Sequence, residues 1–134
     1  MTPFPHFVKV DDSIEEVERL IHRYEIRHVP VQDEGRVVGI ISERDLRRVV
    51  NSSLPAVDRA RVQASVIMLA DPYVVEVDAP LARAVSEMAD RHIGSAIVLK
   101  RGKLAGVLSV TDVCRVLGEL LDDLYPGGGG DAAA

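Results

Sequence analysis

At 134 residues the chain has room for one compact domain or two small half-domains sharing a core. Hydrophobic residues make up 47% of it but aromatics only 4%, with no Trp, so Ala, Val, Ile and Leu must do the packing, as in helices laid on short sheets. The net charge of −5 offers no footprint for nucleic acid or anionic lipid, the single cysteine (Cys114) excludes an internal disulfide, and no apolar run approaches the ~20 residues of a membrane span. With no signal-peptide pattern, the expected location is a reducing cytoplasm.

Pro3 and Pro5 hold the first residues out of helix, and Phe7–Lys9 reads as a short extended segment. Ser13-Ile14-Glu15-Glu16 has the form of a capping box and opens a predicted helix to about Tyr24, with Ile14, Val17, Ile21 and Tyr24 on one face. His28–Gln32 and Arg36–Ser42 read as strands joined by a hairpin turn at Asp33-Glu34-Gly35. A second helix runs from Ser42 to about Val50. The spacing of Val57, Ala60, Val62 and Ala64 then predicts one linking helix. Val74–Glu76 is extended again, and Asp78-Ala79-Pro80 starts a helix expected to turn Leu81, Ala84, Val85 and Met88 inward. Ser95–Lys100 and Leu104–Ser109 are strands around Arg101-Gly102. A last helix runs from Val110 to about Asp123, with Cys114 as a small hydrophobe on it. The glycine-rich end is expected to be disordered.

This order repeats because the sequence does. Shifted by 67 residues, Val8, Val10 and Asp11 fall on Val75, Val77 and Asp78, and Gly35, Gly39, Ser42, Asp45 and Arg48 on Gly102, Gly106, Ser109, Asp112 and Arg115. Residues 1–50 against 68–117 share 13 identities without a gap. The chain therefore divides into repeat 1 (1–50), a linker (51–67), repeat 2 (68–124) and a tail (125–134). The expected fold is α+β: two β-α-β-β-α repeats packed sheet to sheet with pseudo-twofold symmetry.

The repeated Met-x-x-x-Pro and Gly-x-x-Ser-x-x-Asp patterns, with Arg27-His28-Val29-Pro30-Val31 and Gly39–Leu46 in the first copy, make the chain resemble a tandem pair of cystathionine-β-synthase (CBS) domains over nearly its whole length. The resemblance implies a regulatory module, not an enzyme. Such a module binds an adenosine-containing ligand (AMP, ADP or ATP) between the repeats, dimerises through exposed helices and signals to a partner protein.

Residues three apart at a helix start share a face beside free backbone N–H groups. A carboxylate there can accept both ribose hydroxyls, and the helix N-terminus favours a phosphate. Ser42/Asp45 and Ser109/Asp112, the latter with Thr111, fit this chemistry; they equally fit helix caps. The resemblance implies that Arg27 and His28 reach a phosphate at the first site and that Pro72, Tyr73, Ile93 and Gly94 of the opposite copy form its adenine wall. For the second site it implies Ser95, which with Gly94 stands where Arg27-His28 stand in the first copy, and an adenine wall of Pro5, His6 and Ile26, with Arg27 intruding. The second site is thus expected to lack a phosphate clamp, and S-adenosylmethionine is the alternative ligand it could take. A ligand-free interaction module is the second alternative. No metal-ligand spacing links His6, His22, His28 and His92, and no cofactor is required.

Overall fold

The computed structural model describes residues 2–3, 6–51 and 56–127. Pro5, residues 52–55 and most of the glycine-rich tail lie outside them.

In repeat 1, strand β2 (Val8–Lys9) leads into helix α1 (Ile14–Tyr24), capped by the Ser13 hydroxyl accepting from the Glu16 N–H at 3.3 Å. Strands β3 (His28–Asp33) and β4 (Arg36–Ser42) form an antiparallel hairpin, and helix α2 (Glu43–Asn51) follows directly. Repeat 2 answers with β6 (Val74–Glu76), α5 (Leu81–Arg91), β7 (Ser95–Lys100), β8 (Lys103–Ser109) and α6 (Val110–Leu124). The correspondence extends to the irregularities. Both hairpins turn on a pair of positive φ values, Glu34-Gly35 and Arg101-Gly102, as a type I′ turn demands. Both also slip register at equivalent positions, Val31/Gln32 and Val98/Leu99.

Two short strands, unseen in the sequence, bind the repeats together. β1 (Thr2–Pro3) pairs with β8, and β5 (Leu69–Ala70) pairs with β4. Each repeat thus supplies the edge strand of the other's sheet, giving the orders β1-β8-β7-β6 and β2-β3-β4-β5. The sheets meet through Ile40, Ile97 and Val107, backed by Val37, Leu99 and Leu104.

The linker departs from the single helix expected. Two short helices, α3 (Ala56–Arg59) and α4 (Ala64–Ile67), replace it. Hydrogen bonds from Ile14 N–H to Val62 O (2.9 Å) and from Ala64 N–H to Asp12 O (2.7 Å) stitch the linker to the start of α1. Val62, Ala64, Ile67 and Met68 thereby join the core of Val8, Ile14, Val17 and Ile41.

Repeat 2 has no such cover among the described residues. Ile14 is 0% exposed, whereas its equivalent Leu81, expected to face inward, is 53% exposed. Helix α6 buries none of its side chains fully and leaves Val116, Leu117, Leu120, Leu121 and Leu124 open, with Cys114 exposed beside them rather than packed. Tyr24, also expected inward, is exposed at the end of α1.

Candidate functional site

The two strand–helix junctions place the repeated Ser and Asp. At the first, the Glu43 N–H donates to Arg27 O at 2.7 Å; at the second, the Val110 N–H donates to Gly94 O at 3.0 Å. These bonds tie the residue before each middle strand to the start of the helix beyond its hairpin partner. Arg27 and His28 are thereby held beside Ser42 and Asp45.

The same Ser-x-x-Asp motif is used differently in the two repeats. The Ser42 hydroxyl accepts from the Asp45 N–H at 3.0 Å, and the Asp45 carboxylate accepts no hydrogen bond among the described residues. At the second junction the box closes on itself. The Ser109 hydroxyl accepts from the Asp112 N–H (3.2 Å), while Asp112 Oδ2 accepts from the Ser109 N–H (2.9 Å) and Oγ–H (3.0 Å). Arg115 lies 3.5 Å from the other carboxylate oxygen. Partial burial works against ionisation of Asp112, but the Ser109 bonds and then nearby positive charge, Arg115 included, outweigh it and hold the carboxyl below its ordinary 3.8.

Two clefts follow from this framework. The larger, about 940 Å³, brings together Arg27, His28, Ser42, Asp45, Pro72, Tyr73, Ile93 and Gly94. The smaller, about 290 Å³, is lined by His6, Ile26, Ser109, Thr111 and Asp112. Ser95, expected at the second site, lies on the larger cleft instead. The smaller cleft is also not free of positive charge, because Arg27 and Arg115 reach its wall. Arg27, His28, Ser109 and Thr111 line both clefts. Burial holds the His28 imidazole below its ordinary 6.5; the Asp45 and Asp112 carboxylates pull it upward without cancelling that effect, and Arg27 reinforces it.

Equivalent positions of the two repeats carry ring contacts of different composition. His6 stacks on Tyr24 with ring centroids 3.5 Å apart, and at the matching positions Arg91 lies 4.6 Å from the Tyr73 ring centroid. The sequence reading missed Arg91 and also Arg44, Arg47 and Arg48, all of which line the larger cleft. Arg44, Arg47 and Arg48 do follow an i, i+3, i+4 spacing on α2, but charges mixed with acids on a helix have the pattern of a solvated face. No group of three or more His, Cys, Asp or Glu side chains among the described residues could hold a metal. No helix there is long and apolar enough to cross a membrane.

Comparison with known proteins agrees with this fold. A CBS-domain-containing protein of Dictyostelium discoideum is 28% identical over 128 residues, covering 89% of this chain and 88% of its own length. A CBS-domain-containing protein of Agrobacterium tumefaciens superposes with a TM-score of 0.72 at 28% identity, covering 86% of this chain and 90% of that one. A CBS domain pair solved with 5′-methylthioadenosine and S-adenosyl-L-methionine shares the fold at a TM-score of 0.76 and 21% identity, covering 90% and 93%. Against inosine-5′-monophosphate dehydrogenase of Staphylococcus aureus, 28% identical, the chain spans only 22% of the relative's length. The CBS domain family profile matches residues 1–52 and 64–119, and the chain belongs to that family as a pair of CBS domains.

Proposed function

We propose that this CBS pair is a regulatory module that binds an adenosine-containing ligand in the larger cleft. The observation that carries the reading is the Asp45 carboxylate beside Ser42, which accepts no hydrogen bond among the described residues and is set in a cleft that also presents Arg27 and His28. Asp45 accepts the two ribose hydroxyls, the start of α2 and the Arg27–His28 pair receive phosphate, and Tyr73, Ile93, Pro72 and Gly94 enclose the adenine. A volume of 940 Å³ lies at the upper end of small-molecule pockets, and 290 Å³ just below the lower end. The smaller cleft is therefore subordinate, and a nucleoside there must compete with Ser109 for Asp112.

Calorimetric titration with AMP, ADP, ATP, GMP and S-adenosylmethionine tests this. Binding of an adenine nucleotide below about millimolar, lost on Asp45→Ala, is expected. Binding of S-adenosylmethionine alone shifts the reading to the ligand of the structural neighbour. Failure of all five leaves a protein-interaction module.

The output passes to a cytoplasmic partner protein or through self-association. The open apolar stripe of α6 supports a homodimer, because Leu117, Leu120 and Leu124 follow a 3-4 spacing that suits helix-to-helix packing. Light scattering on the chain and on Leu117→Glu/Leu120→Glu checks it: a dimer that falls to monomer in the variant is expected.

A further inference from the structure

The arginines of the larger cleft ask for more negative charge than one phosphate carries. Five line it: Arg27, Arg44, Arg47, Arg48 and Arg91, against Glu43, Asp45 and Asp71. Arg47 is paired with Glu43, and Arg91 is held by Glu87 at 2.7 Å while stacking on Tyr73. Arg27 reaches Glu43 only at 4.0 Å. Arg44 and Arg48 have no hydrogen bond or ion pair among the described residues. In a chain of net charge −5, this is a local surplus of cation on one cleft wall.

The internal repeat supplies a control. Arg27, Arg44, Arg47 and Arg48 stand at the positions of Gly94, Thr111, Cys114 and Arg115 in repeat 2, and Arg115 is engaged with Asp112. Three of the four positions carry no charge in repeat 2, so the fold does not need cations there; only Arg48 has a cationic equivalent, and that one is paired with Asp112. On α2, residues 44, 47 and 48 share a face, and four residues of helix rise about 6 Å. That makes a strip leading away from the Arg27–His28 corner, longer than one phosphate group, and guanidinium is the side chain that grips phosphate oxygens in pairs.

We propose that the larger cleft takes an adenosine ligand with a chain of two or more phosphates, its first phosphate at Arg27 and His28 and its outer phosphates along Arg44 and Arg48. The proposal rests on the adenosine reading of the same cleft and adds to it the class of ligand: a nucleoside polyphosphate, selected over the monophosphate.

The test is titration of the full chain with AMP, ADP, ATP and inorganic tripolyphosphate at low and physiological salt. Affinity is expected to rise from AMP through ADP to ATP, by about tenfold in all at low salt, with a steeper salt dependence for ATP. In Arg44→Gln/Arg48→Gln, ATP should lose at least about tenfold and AMP distinctly less. Both residues are exposed and circular dichroism should report an unchanged fold. AMP binding as tightly as ATP in the unaltered chain overturns the proposal and leaves the adenosine reading standing, as does an equal loss for all nucleotides in the variant. Tripolyphosphate binding that depends on Arg44 and Arg48, without nucleotide binding, upholds the cationic strip and overturns the adenosine reading. No binding by any of the four overturns both.

Discussion

Repeat 1 and repeat 2 share a chain path, two I′ turns and even a register slip, yet they finish their construction differently. Repeat 1 is sealed by the linker and leaves its motif aspartate without a hydrogen bond to its carboxylate among the described residues. Repeat 2 has its aspartate locked into the helix cap and leaves its helical face open. On the function proposed above, the duplicated backbones divide two tasks: holding a ligand and presenting a surface. The division turns on side chains, since the two junctions share their strand register and the backbone bond from the helix start to the residue before the middle strand.

The largest expected contrast lies in the cores. Ile14→Ala should cost about 2–5 kcal/mol in denaturant unfolding, and Leu81→Ala under about 1 kcal/mol at concentrations where the chain is monomeric. Equal costs at high concentration would show the open face covered by a second copy. Next come the clefts. Asp45→Ala should weaken nucleotide binding by about tenfold or more, the value of a charge-assisted bond, and Asp112→Ala by much less. The reverse order breaks the ranking of the two sites.

Gly39→Ala should destabilise repeat 1 by about 1–3 kcal/mol, because the new methyl would sit 2.5 Å from the Met68 sulfur and 3.0 Å from the Leu69 carbonyl oxygen. A thermal melt measures it, and an unchanged Tm would mean that β5 yields without cost. Asp112→Asn weakens the closed capping box and should cost about 0.5–2 kcal/mol of stability in the same assay, a loss that Asp45→Asn does not share through its carboxylate. The smallest effect is on pH. His28 holds its proton less tightly folded than unfolded, so its contribution is fully present above the ordinary 6.5 and is lost as pH falls below it. Between pH 7.5 and 5.5 the unaltered chain should therefore lose more Tm than His28→Gln, and equal slopes would remove His28 from that account.

The sequence carried the repeats, the helix caps and the residues of the larger cleft because these leave periodic or motif traces. It could not show β1 and β5, since two residues are too few to express a strand period. It marked Leu81 as apolar on the correct helix face, but a hydrophobic stripe says only that a face exists and not whether anything covers it. Asp45 and Asp112 sit in the same four-residue pattern, so the closed box at one and the open one at the other are matters of rotamer and neighbours. Arg44 and Arg48 were hidden for a related reason: a charge on a helix looks the same in sequence whether it meets bulk water or a cleft.

The wall common to both clefts has one more consequence. Arg27, His28, Ser109 and Thr111 are partitions, each side of which belongs to a different compartment. A ligand that reorients any of them in one compartment alters the affinity of the other. Thermodynamic reciprocity requires the second ligand to return the same factor to the first. On the proposed reading, a second solute in the smaller compartment would let the chain respond to the ratio of the two as well as to either alone.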